Sequence, residues 1–221
     1  MIHKKKLIIA IIISGLLILS HKETFAKQII FEDDFSSNFE KWDFVRDKEE
    51  MWSINNEQAQ AYVRNSFTIT EIVPKNDYWS SNSSNIEMNL DFLPLLGTDK
   101  NISFCFKDLK NWYEIHFVSS FFEIAKLKSG SVIWSKRGNF ILRNNELHKI
   151  KIIFNQGNIS IFVDDEKIFE DFDPTFSAED YGKIGLKAGT GISFPTKVLF
   201  DNIAVYDLDA PDIKEVDIIK Q

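Results

Sequence analysis

Strict alternation of apolar and polar residues constrains this chain more than any other feature of it. In Ile86-Glu87-Met88-Asn89-Leu90-Asp91-Phe92, Ile86, Met88, Leu90 and Phe92 share one side of an extended backbone, and Glu87, Asn89 and Asp91 share the other. A repeat of two marks a half-buried β-strand, because successive side chains of a strand point to opposite faces. Pro94 and Gly97 end the run. The pattern returns at Ile102, Phe104 and Phe106, and again at Tyr113, Ile115 and Phe117. Later strands are read over His148 to Phe154, Ile159 to Val163, Lys183 to Ala188 and Lys197 to Tyr206. Beyond the N-terminal segment, no stretch holds a 3.6-residue apolar period over three turns. The fold class is therefore all-β, a two-sheet antiparallel β-sandwich or jelly roll.

The earlier part of the chain fits the same scheme. Gln28 to Phe35 reads as a first strand that enters a polar turn at Ser36-Ser37-Asn38. Met51-Trp52-Ser53-Ile54 and Ala59 to Val63 flank Asn55-Asn56, and Asn tolerates the left-handed backbone of a hairpin turn. Ser80 to Asn85 reads as a loop. Twenty Phe and five Trp supply a large core. The sequence shows no internal boundary, so residues 27–207 are taken as one domain and 208–221 as a loose tail.

Residues 1–26 read as a signal peptide. Lys4-Lys5-Lys6 precedes an apolar stretch from Leu7 to Ser20, about 14 residues where a spanning helix needs about 20. Thr24-Phe25-Ala26 offers a cleavage site, which implies secretion. An uncleaved anchor is the alternative. The formal charge of −7 becomes about −10 once Lys4, Lys5, Lys6, Lys22 and Glu23 leave. So acidic a domain repels phosphate backbones and anionic lipid, which excludes nucleic acid and membrane surfaces as expected partners. The single cysteine, Cys105, cannot form an internal disulfide and reads as a packed strand residue.

Several short segments together carry a resemblance. They are Asp33-Asp34-Phe35, Trp52 ahead of its Asn turn, Asn111-Trp112-Tyr113, and Val163-Asp164-Asp165. Gly182-Lys183-Ile184-Gly185-Leu186 and Phe200-Asp201-Asn202-Ile203 complete the set. In this order they resemble the concanavalin A-like lectin/glucanase superfamily. Within it they are similar to laminin G-like domains, family 16 glycoside hydrolases and 3-keto-disaccharide hydrolase-type domains. The resemblance implies a jelly roll that holds a glycan on one sheet face. Hydrolytic relatives carry Glu-x-Asp-x-(x)-Glu on one strand, where retaining chemistry needs two carboxylates about 5–5.5 Å apart. Here Glu114 takes the nucleophile position, but His116 replaces Asp, and Val118 or Ser119 stands where the acid/base belongs. The catalytic set is broken, so no catalytic residue is assigned.

What remains points to binding. Trp112, Glu114 and His116 alternate with Tyr113, Ile115 and Phe117, so they share the polar face of their strand. An aromatic ring beside carboxylates and amides suits a sugar, whose C–H face stacks on the ring while its hydroxyls take the polar groups. If the strands pair as in the family, Glu87 and Asn89, with Asp91, Ser103, Cys105 and Lys107, join the same face. Trp79, beside the Ser/Asn-rich loop, is a further candidate for ligand contact. Each has a plain alternative as solvent-facing or packed strand residue. The resemblance also implies that first and last strands lie side by side, where some members bind calcium, so Asp34 and Asp201 are candidate ligands for a structural calcium, or ordinary turn residues. Four histidines show no zinc spacing. The readings carried forward are a secreted non-catalytic glycan-binding domain, a glycoside-active enzyme using Glu114 and His116, and a laminin G-like scaffold binding a protein partner.

Overall fold

The computed structural model describes residues 27–46, 49–83, 85–118, 120–191 and 195–209. The segment read as a signal peptide and nearly all of the tail lie outside these residues. Fifteen strands account for most of the rest. In chain order they begin with β1 (Gln28–Asp33), β2 (Trp42–Arg46), β3 (Trp52–Ile54), β4 (Ala59–Val63) and β5 (Ile69–Pro74). The middle of the chain forms β6 (Ile86–Leu96), β7 (Asp99–Asp108), β8 (Asn111–Phe117), β9 (Phe122–Lys128) and β10 (Ser131–Gly138). The last five are β11 (His148–Asn155), β12 (Asn158–Val163), β13 (Glu166–Phe172), β14 (Lys183–Gly189) and β15 (Thr196–Asp207).

These strands form two antiparallel sheets. One has eight strands in the order β13-β12-β11-β6-β15-β4-β3, with β1 also on β15; the other has seven, β10-β9-β8-β7-β14-β5-β2. The long β15 pairs with β4 through its first half and with β1 through its second. First and last strands therefore do lie side by side, as the resemblance implies.

The core lies between the sheets, where the alternating pattern sends its apolar side chains. Ile86, Met88, Leu90 and Phe92 from one sheet and Ile102, Phe104, Tyr113, Ile115 and Phe117 from the other are all buried. Aromatic rings cross the gap: Phe154 lies 5.5 Å from Phe104 and 5.0 Å from Tyr113, and Phe92 lies 5.6 Å from Phe117. Tilted pairs at this distance add attraction beyond their buried area. Trp42 and Trp52 are core residues whose indole N–H groups find buried acceptors, Asp33 Oδ2 at 2.6 Å and Thr70 Oγ1 at 2.7 Å. At the β12–β13 hairpin, Asp164 and Asp165 both take positive φ, 52° and 66°. That is the geometry a two-residue turn needs to match the twist of its strands.

Two expectations about the polar face fail. β6 belongs to the eight-stranded sheet, so Glu87, Asn89 and Asp91 lie on the opposite outer face of the sandwich from Trp112, Glu114 and His116. Alternation fixes which side of a strand a residue takes, not which sheet the strand joins. Cys105 also leaves the face. The β7–β8 ladder shifts register after Phe104, Cys105 takes a φ of 48°, and its thiol is buried. Such a shift leaves a residue out of the alternation, as β-bulges do. Burial pushes that thiol well above its ordinary pKa.

Candidate ligand site on the seven-stranded sheet

Trp112, Glu114 and His116 do lie together on the outer face of β8, and the register sets their neighbours. His116 stands opposite Asn101 on β7, Asn101 opposite Lys187 on β14, Lys187 opposite Glu71 on β5, and Glu71 opposite Arg46 on β2. One polar row thus crosses five strands. Most of it is tied to itself. Glu71 is fully buried, and its carboxylate accepts from Ser103 Oγ at 2.6 Å and Arg46 Nε at 2.8 Å. Glu114 Oε2 accepts from Trp112 Nε1 at 3.1 Å and pairs with the Lys187 ammonium. Buried charges persist only when paired in this way, and losing one partner costs about 3–5 kcal/mol.

Trp112 is not an open platform. Its residue is 6% exposed, with the Arg46 guanidinium 4.6 Å and the Lys187 ammonium 5.6 Å from the ring and Phe106 at 6.4 Å. A cation over an aromatic face is attractive, so the cover is held in place. His116 is the more open end of the row, its Nε2 2.9 Å from Asp99 Oδ1. Burial raises the Asp99 pKa, but His116 and the Asn101 amide outweigh it and hold that carboxyl low. Asn101 Oδ1 and Arg46 Nη2 are buried without a hydrogen-bond partner among the described residues. Orphaned groups of this kind are uncommon and point to water or a ligand that completes them.

Beside Trp112 the face opens into a cavity of about 100 Å³. The tips of the β7–β8 and β9–β10 hairpins meet there, fixed by the Gly130 N–H donating to the Lys110 carbonyl at 2.9 Å. The segment 173–182, which crosses from β13 to β14, forms the remaining wall. Lys107, Asn111, Trp112, Leu127, Lys128, Glu179 and Tyr181 line it, over Cys105, Tyr113, Lys126 and Asp180. Gly182 permits the close approach: a Cβ there would sit 2.3 Å from the Phe106 carbonyl oxygen. A buried network anchors the crossing segment. Lys126 Nζ donates to Asp180 Oδ2 and the Thr175 carbonyl, both at 2.7 Å, and the Tyr113 hydroxyl donates to Asp173 Oδ2 at 2.6 Å. Burial, then the Asp173 bond, pushes the Tyr113 hydroxyl far above its usual pKa, so it stays a donor.

The other predicted residues are scattered. Glu87 pairs with Lys27 and accepts from Asn89 Nδ2 at 3.2 Å. Asn89 also borders a recess of about 190 Å³ with Asp91, Lys149, Lys151 and Asn202 on the eight-stranded sheet. Trp79 packs, partly buried, 6.2 Å from Phe31. Asp34 Oδ1 accepts from the Ser36 N–H at 3.1 Å, which lowers its pKa. Asp201 is raised by burial and by the charges of Asp91 and Asp34. Among the described residues no group of three or more His, Cys, Asp or Glu is arranged to hold a metal. The sequence reading missed Asn111, Lys128 and Tyr181 as site residues, although Tyr181-Gly182 was a visible signal of a close-packed turn.

No protein-family model matches the chain, and no curated protein matches it. Solved structures match it in fold. The carbohydrate-binding module CBM66 from Bacillus subtilis is 20% identical, with 78% of this chain and 99% of that one covered at a TM-score of 0.59. A Bacillus subtilis protein of unknown function with a galectin-like fold is 12% identical, covering 82% and 97% at 0.61. The exoplasmic/lumenal domain of VIP36, in its Ca2+/Man3GlcNAc-bound form, is 11% identical, covering 81% and 88% at 0.58. At these identities the likeness is one of fold, and the fold is a two-sheet jelly-roll β-sandwich.

Proposed function

We propose that this chain is a secreted, non-catalytic carbohydrate-binding domain that holds its glycan at the end of the seven-stranded sheet. The observation that carries the reading is the cavity beside Trp112, where the Tyr181 ring, the Asn111 amide and charged groups converge. Such a mix of aromatic surface and hydrogen-bonding groups matches a sugar's C–H faces and hydroxyls. The row from His116 to Arg46 supplies rigid support beside it. Fold neighbours that are themselves carbohydrate-binding or sugar-bound agree with this reading, and fold alone does not carry it. Secretion is read from the pattern of residues 1–26.

Binding is favoured over hydrolysis because the carboxylates are committed. Glu114 is paired with Lys187 and Glu71 is sealed under Arg46, so neither is free to act at a glycosidic bond. A nucleic-acid ligand is disfavoured by the acidic surface. The test is a glycan array probed with the purified protein, with and without calcium, because Asp34 and Asp201 lie close enough to repel each other. Reproducible binding that Tyr181→Ala removes, with the melting temperature unchanged, is the expected outcome. An array blank in both conditions would overturn the reading and point to a protein partner. Signal that appears only with calcium would assign the Asp34–Asp201 edge a metal.

A further inference from the structure

We propose that the saccharide taken by this cavity carries an anionic group, a carboxylate or a sulfate, read by Lys107 and Lys128. The inference rests on the glycan reading above and names its ligand class. Its basis is where unpaired lysines meet. Several lysines are held by an acid: Lys187 by Glu114, Lys126 by Asp180, Lys149 by Asp91 and Lys41 by Asp33. Lys75, Lys100, Lys151, Lys183 and Lys197 make no ion pair among the described residues but do not line this cavity. Lys107 and Lys128 in the cavity wall, and Lys110 on the adjoining hairpin tip, make no ion pair among the described residues. In a chain of net charge −7, Lys107 and Lys128 leave the cavity lining with one more unpaired cation than unpaired carboxylate among the described residues.

Three of the nearby acids are bonded to other groups. Asp108 turns its carboxylate into its own turn, accepting from the Lys110 N–H at 2.7 Å and from Asn111 Nδ2 at 2.8 Å. Asp180 is occupied by Lys126 and by the Ser177 N–H at 2.6 Å. Asp173 is held by the Tyr113 hydroxyl and by Thr175. Glu179 is the one lining carboxylate without such a bond among the described residues.

Lys107 is already placed, its ammonium 5.1 Å from the centre of the Tyr181 ring. A saccharide in the cavity would present its exocyclic acid group to this ammonium and to that of Lys128, which lines the same cavity. A lysine is a flexible point charge and suits a single anionic group of either geometry. Ion pairing in a half-enclosed cavity is screened less than on an open surface.

Calorimetric titration of the full chain with matched probes tests this. The probes are trigalacturonic acid, its methyl ester, glucose 6-sulfate and glucose. The expected result is that the acid binds at least roughly tenfold tighter than its ester, the worth of one charge-assisted hydrogen bond. That preference should shrink with added salt. In Lys107→Gln/Lys128→Gln the acid should fall to the level of the ester, while Lys167→Gln on the other sheet changes nothing. A preference confined to glucose 6-sulfate over glucose would assign sulfate rather than carboxylate. If acid and ester bind alike, or the double variant keeps the preference, the anionic reading is overturned and the glycan reading stands. If none of these probes binds and the glycan array is also blank, both fall.

Discussion

Trp112 shows how much a single residue's role depends on side chains that arrive from elsewhere. Its position in β8 was legible from the alternation of Trp112, Glu114 and His116, and those three do share a face. Its burial was not legible, because Arg46 and Lys187 reach it from β2 and β14, far away in sequence. Pairing register, and not local pattern, decides that contact. Trp112→Ala should therefore behave as a core truncation and cost about 3–5 kcal/mol, since it removes a packed ring and strips the cover from Glu114 and Arg46. Trp112→Phe should keep most of the packing and lose only the indole N–H bond to Glu114. Urea unfolding of both variants measures this. An alanine variant as stable as the parent would mean that the ring is surface, and would restore it as a sugar platform.

At the scale of elements, strand positions were readable and sheet membership was not. The strands predicted over Ile86–Phe92, His148–Phe154, Ile159–Val163 and Lys183–Ala188 all form, because an apolar residue at every second position has only one way to be buried. Nothing local told β6 from β7, since both alternate and both bury one face. Glu87 and Asn89 were consequently assigned to the wrong side of the sandwich. The β12–β13 hairpin is better specified. Asp164 closes it from the side chain, Oδ1 accepting from the Lys149 N–H at 2.9 Å and Oδ2 meeting His148 Nδ1 at 2.8 Å. Those bonds tie the turn to the start of β11. Asp164→Ala should cost about 1 kcal/mol, the net worth of such bonds at a half-exposed site. Hydrogen exchange should quicken in β12 and β13 and stay unchanged in β7 and β8. Uniform quickening in both sheets would show that the hairpin has no local stability of its own.

For the molecule as a whole, the buried and bonded charges dictate a stability profile with two sloping arms. On the acid side, Asp34, Asp99, Asp164, Asp171 and Asp173 all have lowered pKa values. Each contributes stability above the unfolded carboxylate value of 3.8, and that contribution is lost as pH falls through the lower folded value. Asp201 is raised and acts in the opposite sense, favouring the fold at low pH. Five such groups against one mean that stability should fall below about pH 4. On the alkaline side the leading group is Lys100, buried in β7 with the Gly97 carbonyl and Asn144 Oδ1 as its partners among the described residues, and burial lowers its pKa from 10.5 to about 8. Above pH 8 the unfolded chain holds a proton that the folded chain releases, so stability rises with pH. The ordinary thiol value of 9.0 bounds that rise, because Cys105, and then Tyr113, resist ionisation only when folded and so penalise the fold at higher pH. Burial also lowers the Lys183 pKa, in the same sense; urea midpoints of the parent should therefore climb between pH 8 and 9, and those of Lys100→Met should climb less over the same interval. Parallel profiles would show that Lys100 titrates no differently folded than free, and that its burial at the end of the sandwich is not maintained in solution.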